Sequence, residues 1–150
     1  MLENALEVSK IFAGYVPDLP ILRGVSVKVK NGSLNVVIGP NGAGKSTLIK
    51  AIVGLVPVSK GRILLGGKEM GGIKPHLITR QKISYVPQIN NIFRTLTVRQ
   101  NLELALRGSG VNTNERLTEL LIQFPILSEK MKEKAGALSG GQRQFLAVAM

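Results

Sequence analysis

Gly39-Pro40-Asn41-Gly42-Ala43-Gly44-Lys45-Ser46-Thr47 is the densest run of chemically usable residues in the chain. Glycine, four residues, then Gly-Lys-Ser is the spacing of a phosphate-binding loop. Glycines 39, 42 and 44 let the backbone curl closely around an anion. Successive N–H groups from about Gly42 to Thr47 can then point inward as a nest. A helix starting there adds the positive end of its dipole. Lys45 supplies a full charge to the β and γ phosphates of a nucleotide. Ser46 offers a hydroxyl to magnesium, and Thr47 can reach the α phosphate. Pro40, Asn41 and Ala43 complete the cradle.

Leu138-Ser139-Gly140-Gly141-Gln142 is the second such run. Ser139 with Gln142 three residues later is a capping-box spacing. Gly140 and Gly141 leave two bare backbone positions at a helix start, which makes a second potential anion site. By itself the run also fits an ordinary glycine-containing helix cap.

These loops need strands and helices to hold them. Ala5 to Val8 and Val25 to Val29 read as two short strands, the second alternating apolar and polar residues. Phe12 to Leu19 reads as the loop between them. Asn31-Gly32 is a hairpin-turn signal. Leu34 to Ile38 is apolar and β-branched, as a buried strand of a parallel sheet is. Leu48, Ile49, Ala51, Ile52 and Leu55 recur at helical spacing after the loop, with Gly54 near the helix end. Arg62 to Leu65 is a strand closed by Gly66-Gly67, and a short helix can follow Pro75. Ile83 to Val86 is a further strand that Pro87 ends. Beyond it the chain reads as helical. Thr97 and Gln100 make a capping pattern, Asn112 and Glu115 open another helix, and Pro125 stops that one. The last helix, carrying Phe145, Leu146, Val148 and Ala149, is still running at Met150.

Composition narrows the chemistry. The 150 residues are 44% hydrophobic and 19% charged, which excludes collagen-like and disordered classes. There is no cysteine, so neither a disulfide nor a thiolate site exists in these residues. One histidine, His76, argues against a histidine metal cluster or a Ser-His-Asp triad; a surface position is expected for it. No stretch approaches the ~18 apolar residues of a membrane span. The start has no secretory pattern. The formal charge is +11, yet the basic residues are scattered and aromatics are only 4%, so no stacking platform for nucleic acid is evident. Asp18 is the one aspartate among nine acids, which is sparse for magnesium chemistry.

Read together, the two glycine runs resemble the ATP-binding cassette (ABC) ATPase family, whose signature motif is Leu-Ser-Gly-Gly-Gln. The resemblance spans about residue 6 to residue 150. It implies ATP and Mg2+ as cofactors. It also implies that Tyr15 stacks on adenine, that Gln88 in Tyr85-Val86-Pro87-Gln88 contacts magnesium and the attacking water, and that Leu96 to Leu104 opens the helical subdomain. Phe124-Pro125-Ile126-Leu127, Lys134-Ala135-Gly136-Ala137 and Gln144-Phe145-Leu146-Ala147 are similar to the branched-chain amino-acid importer ATPases. Met150 stands where many relatives have arginine.

The fold this implies is α/β. A P-loop core with an N-terminal antiparallel β part occupies 1–88, and the start of the ABC helical subdomain occupies 89–150. In the family the Walker B strand, the catalytic glutamate and a switch histidine lie downstream of the signature. The 150 residues are therefore expected to be the N-terminal part of one nucleotide-binding domain, inactive alone. The implied partners are transmembrane permease subunits, a second ATPase subunit in a head-to-tail dimer and, indirectly, an extracytoplasmic substrate-binding protein. The segment from about Gln88 to Leu102 would face the permease. The expected location is the cytoplasmic face of the membrane, peripherally, with no nucleic acid partner. Two alternatives remain open: a soluble ABC ATPase acting on nucleic acid or ribosomes, and, for this piece alone, a nucleotide-binding module without hydrolysis.

Overall fold

β1 (Asn4–Ala13) is an inner strand of an antiparallel sheet, with β2 (Leu22–Lys30) on one side and β3 (Val58–Leu65) on the other. β4 (Lys68–Glu69) extends the order to β2-β1-β3-β4. The computed structural model describes residues 3–71, 73–107 and 112–150, without the side chains of His76, Thr79 and Arg80. The surface position expected for His76 therefore lies outside the described residues.

β1 runs longer than Ala5 to Val8 because a bulge rescues its pattern. Val8, Ile11 and Ala13 are all buried, yet Val8 and Ile11 are an odd number of residues apart. A regular strand would turn one of them outward. Register shifts against both neighbours fall between these residues, and Lys10 adopts φ 47°. The extra residue keeps Val8, Ile11 and Ala13 turned to the core. The loop expected from Phe12 thus begins only at Gly14.

α1 (Lys45–Ile52) lies against β1 and buries Thr47, Leu48 and Ala51. Val8, Ile11, Leu22, Leu48, Val56 and Ile63 belong to one apolar core. A 3-10 helix, Pro75–Gln81, occupies the place where a short helix was expected.

Two expected strands do not form. Leu34 to Ile38 joins no strand, and Leu34 and Ile38 are 94% and 88% exposed. Ile83 to Val86 likewise joins none, although Ile83 and Tyr85 still turn inward to the core while Ser84 and Val86 face out. A run of branched apolar residues becomes a strand only when neighbouring strands accept its N–H and C=O groups. The four-stranded sheet supplies no such ladder to either run. Asn31-Gly32 accordingly makes a turn, with Gly32 at φ 67°, but no hairpin.

The chain divides into two compact units, Met1–Tyr85 and Val86–Met150. The second is helical: α2 (Val98–Leu106), α3 (Thr113–Gln123), α4 (Pro125–Ser128) and α5 (Gly140–Ala149). Val98, Leu102 and Leu146 are fully buried and Leu127 nearly so. Each contributes about 1.5–3 kcal/mol relative to an exposed position. Pro125 ends α3 as expected and also starts α4, because proline fits a first helical turn that needs no N–H.

Candidate functional site

Gly44 governs the first loop. It caps α1 at φ 89°, ψ 7°, a left-handed conformation that a side chain disfavours. A Cβ there would also stand 2.8 Å from Leu22 Cδ2. The backbone conformation thus selects glycine, and the Leu22 side chain would have to shift to admit a Cβ. Gly42 shares the positive φ, at 83°, and nothing lies within 4 Å of where its Cβ would be.

The helix start leaves the N–H groups of Lys45, Ser46 and Thr47 without intrahelical partners, since the first helical bond runs from Leu48 N–H to the Gly44 carbonyl at 2.8 Å. Lys45 Nζ folds over the loop and donates to the carbonyls of Gly39 and Pro40, each at 2.7 Å. Its ammonium is therefore held at the loop. Ser46 is exposed and Thr47 is buried. Orphan donors, one fixed cation, a free hydroxyl and open space beside Gly42 fit a polyphosphate with its magnesium ion.

Tyr15 reaches α1 from the β1–β2 connection. Lys50 Nζ donates to its hydroxyl at 3.2 Å and lies 5.5 Å from its ring centroid. The ring is 54% exposed. A cavity of about 220 Å³ beside it is lined by Gly14, Tyr15, Val16, Pro20, Pro57 and Ser59, among others. Lys50 was not singled out from sequence. Its only signal there is its position one and a half helical turns beyond Lys45.

The second unit carries the other run. Ser139 caps α5: its Oγ accepts from Gln142 N–H at 3.3 Å, and Gln142 Oε1 accepts from Ser139 N–H at 2.9 Å. Nothing lies within 4 Å of a Cβ built on Gly140 or Gly141, so this helix start is open on that side. Gln88 is exposed and belongs to the same unit. It lines a cleft of about 420 Å³ with Asn90, Asn91, Arg94, Arg143 and Gln144. Arg143 Nη1 donates to the Leu138 carbonyl at 2.8 Å. No carboxylate lines this cleft, which makes it electropositive. The residues around Gln88 were invisible as a group in the sequence, because the fold brings 88–94 against α5.

Among the described residues no group of three or more His, Asp or Glu side chains could hold a metal by itself. None of their helices is long and apolar enough to cross a membrane.

The architecture is that of an ATP-binding cassette. A nucleotide-free cassette from an ABC transporter superposes with TM-score 0.82 at 28% identity, over 97% of this chain and 63% of that one. A cassette solved in an ADP conformation gives TM-score 0.78 at 29% identity, over 99% of this chain and 64% of that one. The family model described as ABC transporter matches residues 22–150, and the chain belongs to that family. Similar curated proteins include the probable branched-chain amino acid transport ATP-binding protein LivF of Archaeoglobus fulgidus, 44% identical over 96% of this chain and 61% of its own length. The high-affinity branched-chain amino acid transport ATP-binding protein BraG of Pseudomonas aeruginosa is 36% identical over 89% of this chain and 58% of its own. The lactose transport ATP-binding protein LacK of Rhizobium radiobacter is also 36% identical, over 87% of this chain and 36% of its own. The chain thus spans less than two thirds of the length of each of these relatives.

Proposed function

We propose that the protein to which these residues belong is the ATP-binding subunit of a membrane importer, and that it couples ATP hydrolysis to uptake of branched-chain or other hydrophobic amino acids. One observation carries the reading: each compact unit presents an open, glycine-rich helix start, Gly44 before α1 and Ser139 before α5. Similarity to LivF and BraG, both described as branched-chain amino acid transport ATP-binding proteins, supports the amino-acid assignment.

In this reading the N–H groups of 42–47 and Lys45 bind the phosphates, with Gly39, Pro40, Asn41 and Ala43 shaping the loop. Tyr15 stacks on the adenine. Ser46 and Gln88 hold the magnesium position, and Gln88 orients the attacking water. Magnesium, when bound, neutralises charge developing on the β and γ phosphates. Ser139, Gly140, Gly141 and Gln142 complete the nucleotide site of a second subunit, which pairs head to tail. The subunit works at the cytoplasmic face, docked on transmembrane permease subunits, with the segment from Gln88 to Leu102 toward them. An extracytoplasmic binding protein delivers substrate. The 150 residues alone bind nucleotide but do not turn it over.

The test is ATP-driven pairing of the full-length protein by light scattering. Addition of a slowly hydrolysed ATP analogue with Mg2+ should double the mass of the parental protein and leave Lys45→Ala monomeric. A parental protein that stays monomeric at saturating nucleotide would refute the pairing.

A further inference from the structure

Asn101 stands on the buried stripe of α2, one turn after Val98 and beside Leu102, and is itself fully buried. A buried primary amide is costly unless its donors and acceptor are matched. Here they are matched by a single turn. Asn101 Oδ1 accepts from the Phe93 N–H at 2.8 Å. Its Nδ2 lies 3.0 Å from the Phe93 carbonyl and 2.9 Å from the Thr97 carbonyl. One side chain therefore grips both ends of the turn from Phe93 to Thr97.

That turn is fastened to the approach to the signature. Gly136 N–H donates to the Arg94 carbonyl at 2.9 Å, and Ala135 N–H to the Leu96 carbonyl at 2.9 Å. Val98 N–H donates to Glu133 and Arg99 N–H to Met131, at 3.0 and 3.1 Å. Four backbone bonds thus strap 94–99 to 131–136, three residues short of Ser139. Gly136 permits the approach: a Cβ there would meet the Arg94 carbonyl oxygen at 3.0 Å. A second tie lies closer to Gln88. Asn91 Nδ2 bonds the Pro87 carbonyl at 3.2 Å and faces Gln144 Oε1 on α5 at 3.4 Å.

We propose that Asn101 is a positioning residue that sets the signature turn at Ser139 in fixed register with the segment from Gln88 to Thr97. The two then move as one body. A displacement imposed on that segment reaches Ser139 instead of being absorbed in the 93–97 turn. The role of Ser139 in completing a second subunit's nucleotide site is taken from the proposed function. The strap itself does not depend on it.

The experiment uses the full-length protein with Asn101→Ala, Gly136→Ala and, as control, Leu102→Ala, which opens a cavity in the same core and leaves the Asn101 hydrogen bonds to the turn in place. Nucleotide affinity of the monomer should stay within about twofold in all three, because the phosphate loop lies in the other unit. The nucleotide concentration for half-maximal pairing should rise about tenfold or more in Asn101→Ala and Gly136→Ala, and much less in Leu102→Ala. Hydrogen exchange at the Ala135 and Gly136 amides should quicken about tenfold in Asn101→Ala while staying near parental rates in Leu102→Ala. Parental pairing by Asn101→Ala, or equal loss in Leu102→Ala, would overturn the positioning role. If the parental protein does not pair at all, the proposed function fails, and exchange at Ala135 and Gly136 still decides on the strap: unchanged protection in Asn101→Ala removes it.

Discussion

Ser139 and Gln142 cap α5 reciprocally, each side chain accepting from the other's backbone N–H, at 3.3 and 2.9 Å. Because Ser139 Oγ uses a lone pair for the cap, its hydroxyl proton remains available to an anion, which in the proposed pairing is a phosphate oxygen of a second subunit's nucleotide. Capping and recognition are thus compatible in one side chain.

In the proposed pairing Ser139→Ala removes one half of the cap and the hydroxyl donor, whereas Gln142→Ala removes the other half of the cap and that side chain's own share of the site. Each change should cost about 1 kcal/mol of helix stability. Monomer affinity for MgATP should be nearly parental in both. ATP-driven pairing should fail in Ser139→Ala and persist in weakened form in Gln142→Ala. Sedimentation at saturating nucleotide checks this, and a fully paired Ser139→Ala contradicts the shared use of the hydroxyl.

Lys45 Nζ is already held by the Gly39 and Pro40 carbonyls. Lys45→Ala deletes the one cation held at the loop and should weaken nucleotide binding ~100-fold, about 2.7 kcal/mol. Fluorescence titration of the purified subunit is the measurement. Unchanged affinity would show that the phosphates bind elsewhere.

Gly44→Ala should damage the same loop by a different route. The new methyl meets Leu22 Cδ2, and the positive φ penalises it further. We expect loss of nucleotide affinity together with a lower Tm, by about 1–3 kcal/mol of stability. A melt and a titration on one preparation separate this from Lys45→Ala, which should leave Tm unchanged.

Tyr15 offers an exposed ring beside the small cavity at the β1–β2 connection. Stacking of a base on an aromatic ring contributes about 1–3 kcal/mol. Tyr15→Ala should therefore raise the Kd for ATP about 5- to 150-fold. Tyr15→Phe should stay near parental, since the lost hydroxyl bonds only Lys50 among the described residues. Equal affinity for ATP and for inorganic triphosphate in the parental protein would argue against stacking.

The 150 residues taken alone should release phosphate from ATP at a negligible rate. Hydrolysis needs a carboxylate to hold the magnesium water shell and a base for the attacking water. The family resemblance implies that both come from residues beyond the signature. A phosphate-release assay that finds turnover equal to that of the full-length protein would contradict this.

Local patterns were readable where one stretch of chain contains its own partners. The caps at Thr97 and Ser139 formed as their spacing required, because donor and acceptor lie within one turn. Gly42 and Gly44 of the phosphate loop also acted locally, through positive φ. The strands at 34–38 and 83–86 misled because β structure is completed by residues distant in sequence. The extension of β1 was hidden by its bulge, which breaks period two in the very place where the sheet needs it.

The residue order by itself determined the two glycine-rich helix starts, their caps, the cation at 45 and the family likeness these carry. All of them depend on spacings of a few residues. Only the tertiary structure decided that Lys50 meets Tyr15, that Gln88 shares a cleft with Arg143, and that Asn101 binds the 93–97 turn to the approach to Ser139. These pairings join positions far apart along the chain or around a turn. Hydrophobic burial, which is non-directional, brings them together, and no periodicity in the sequence records the result.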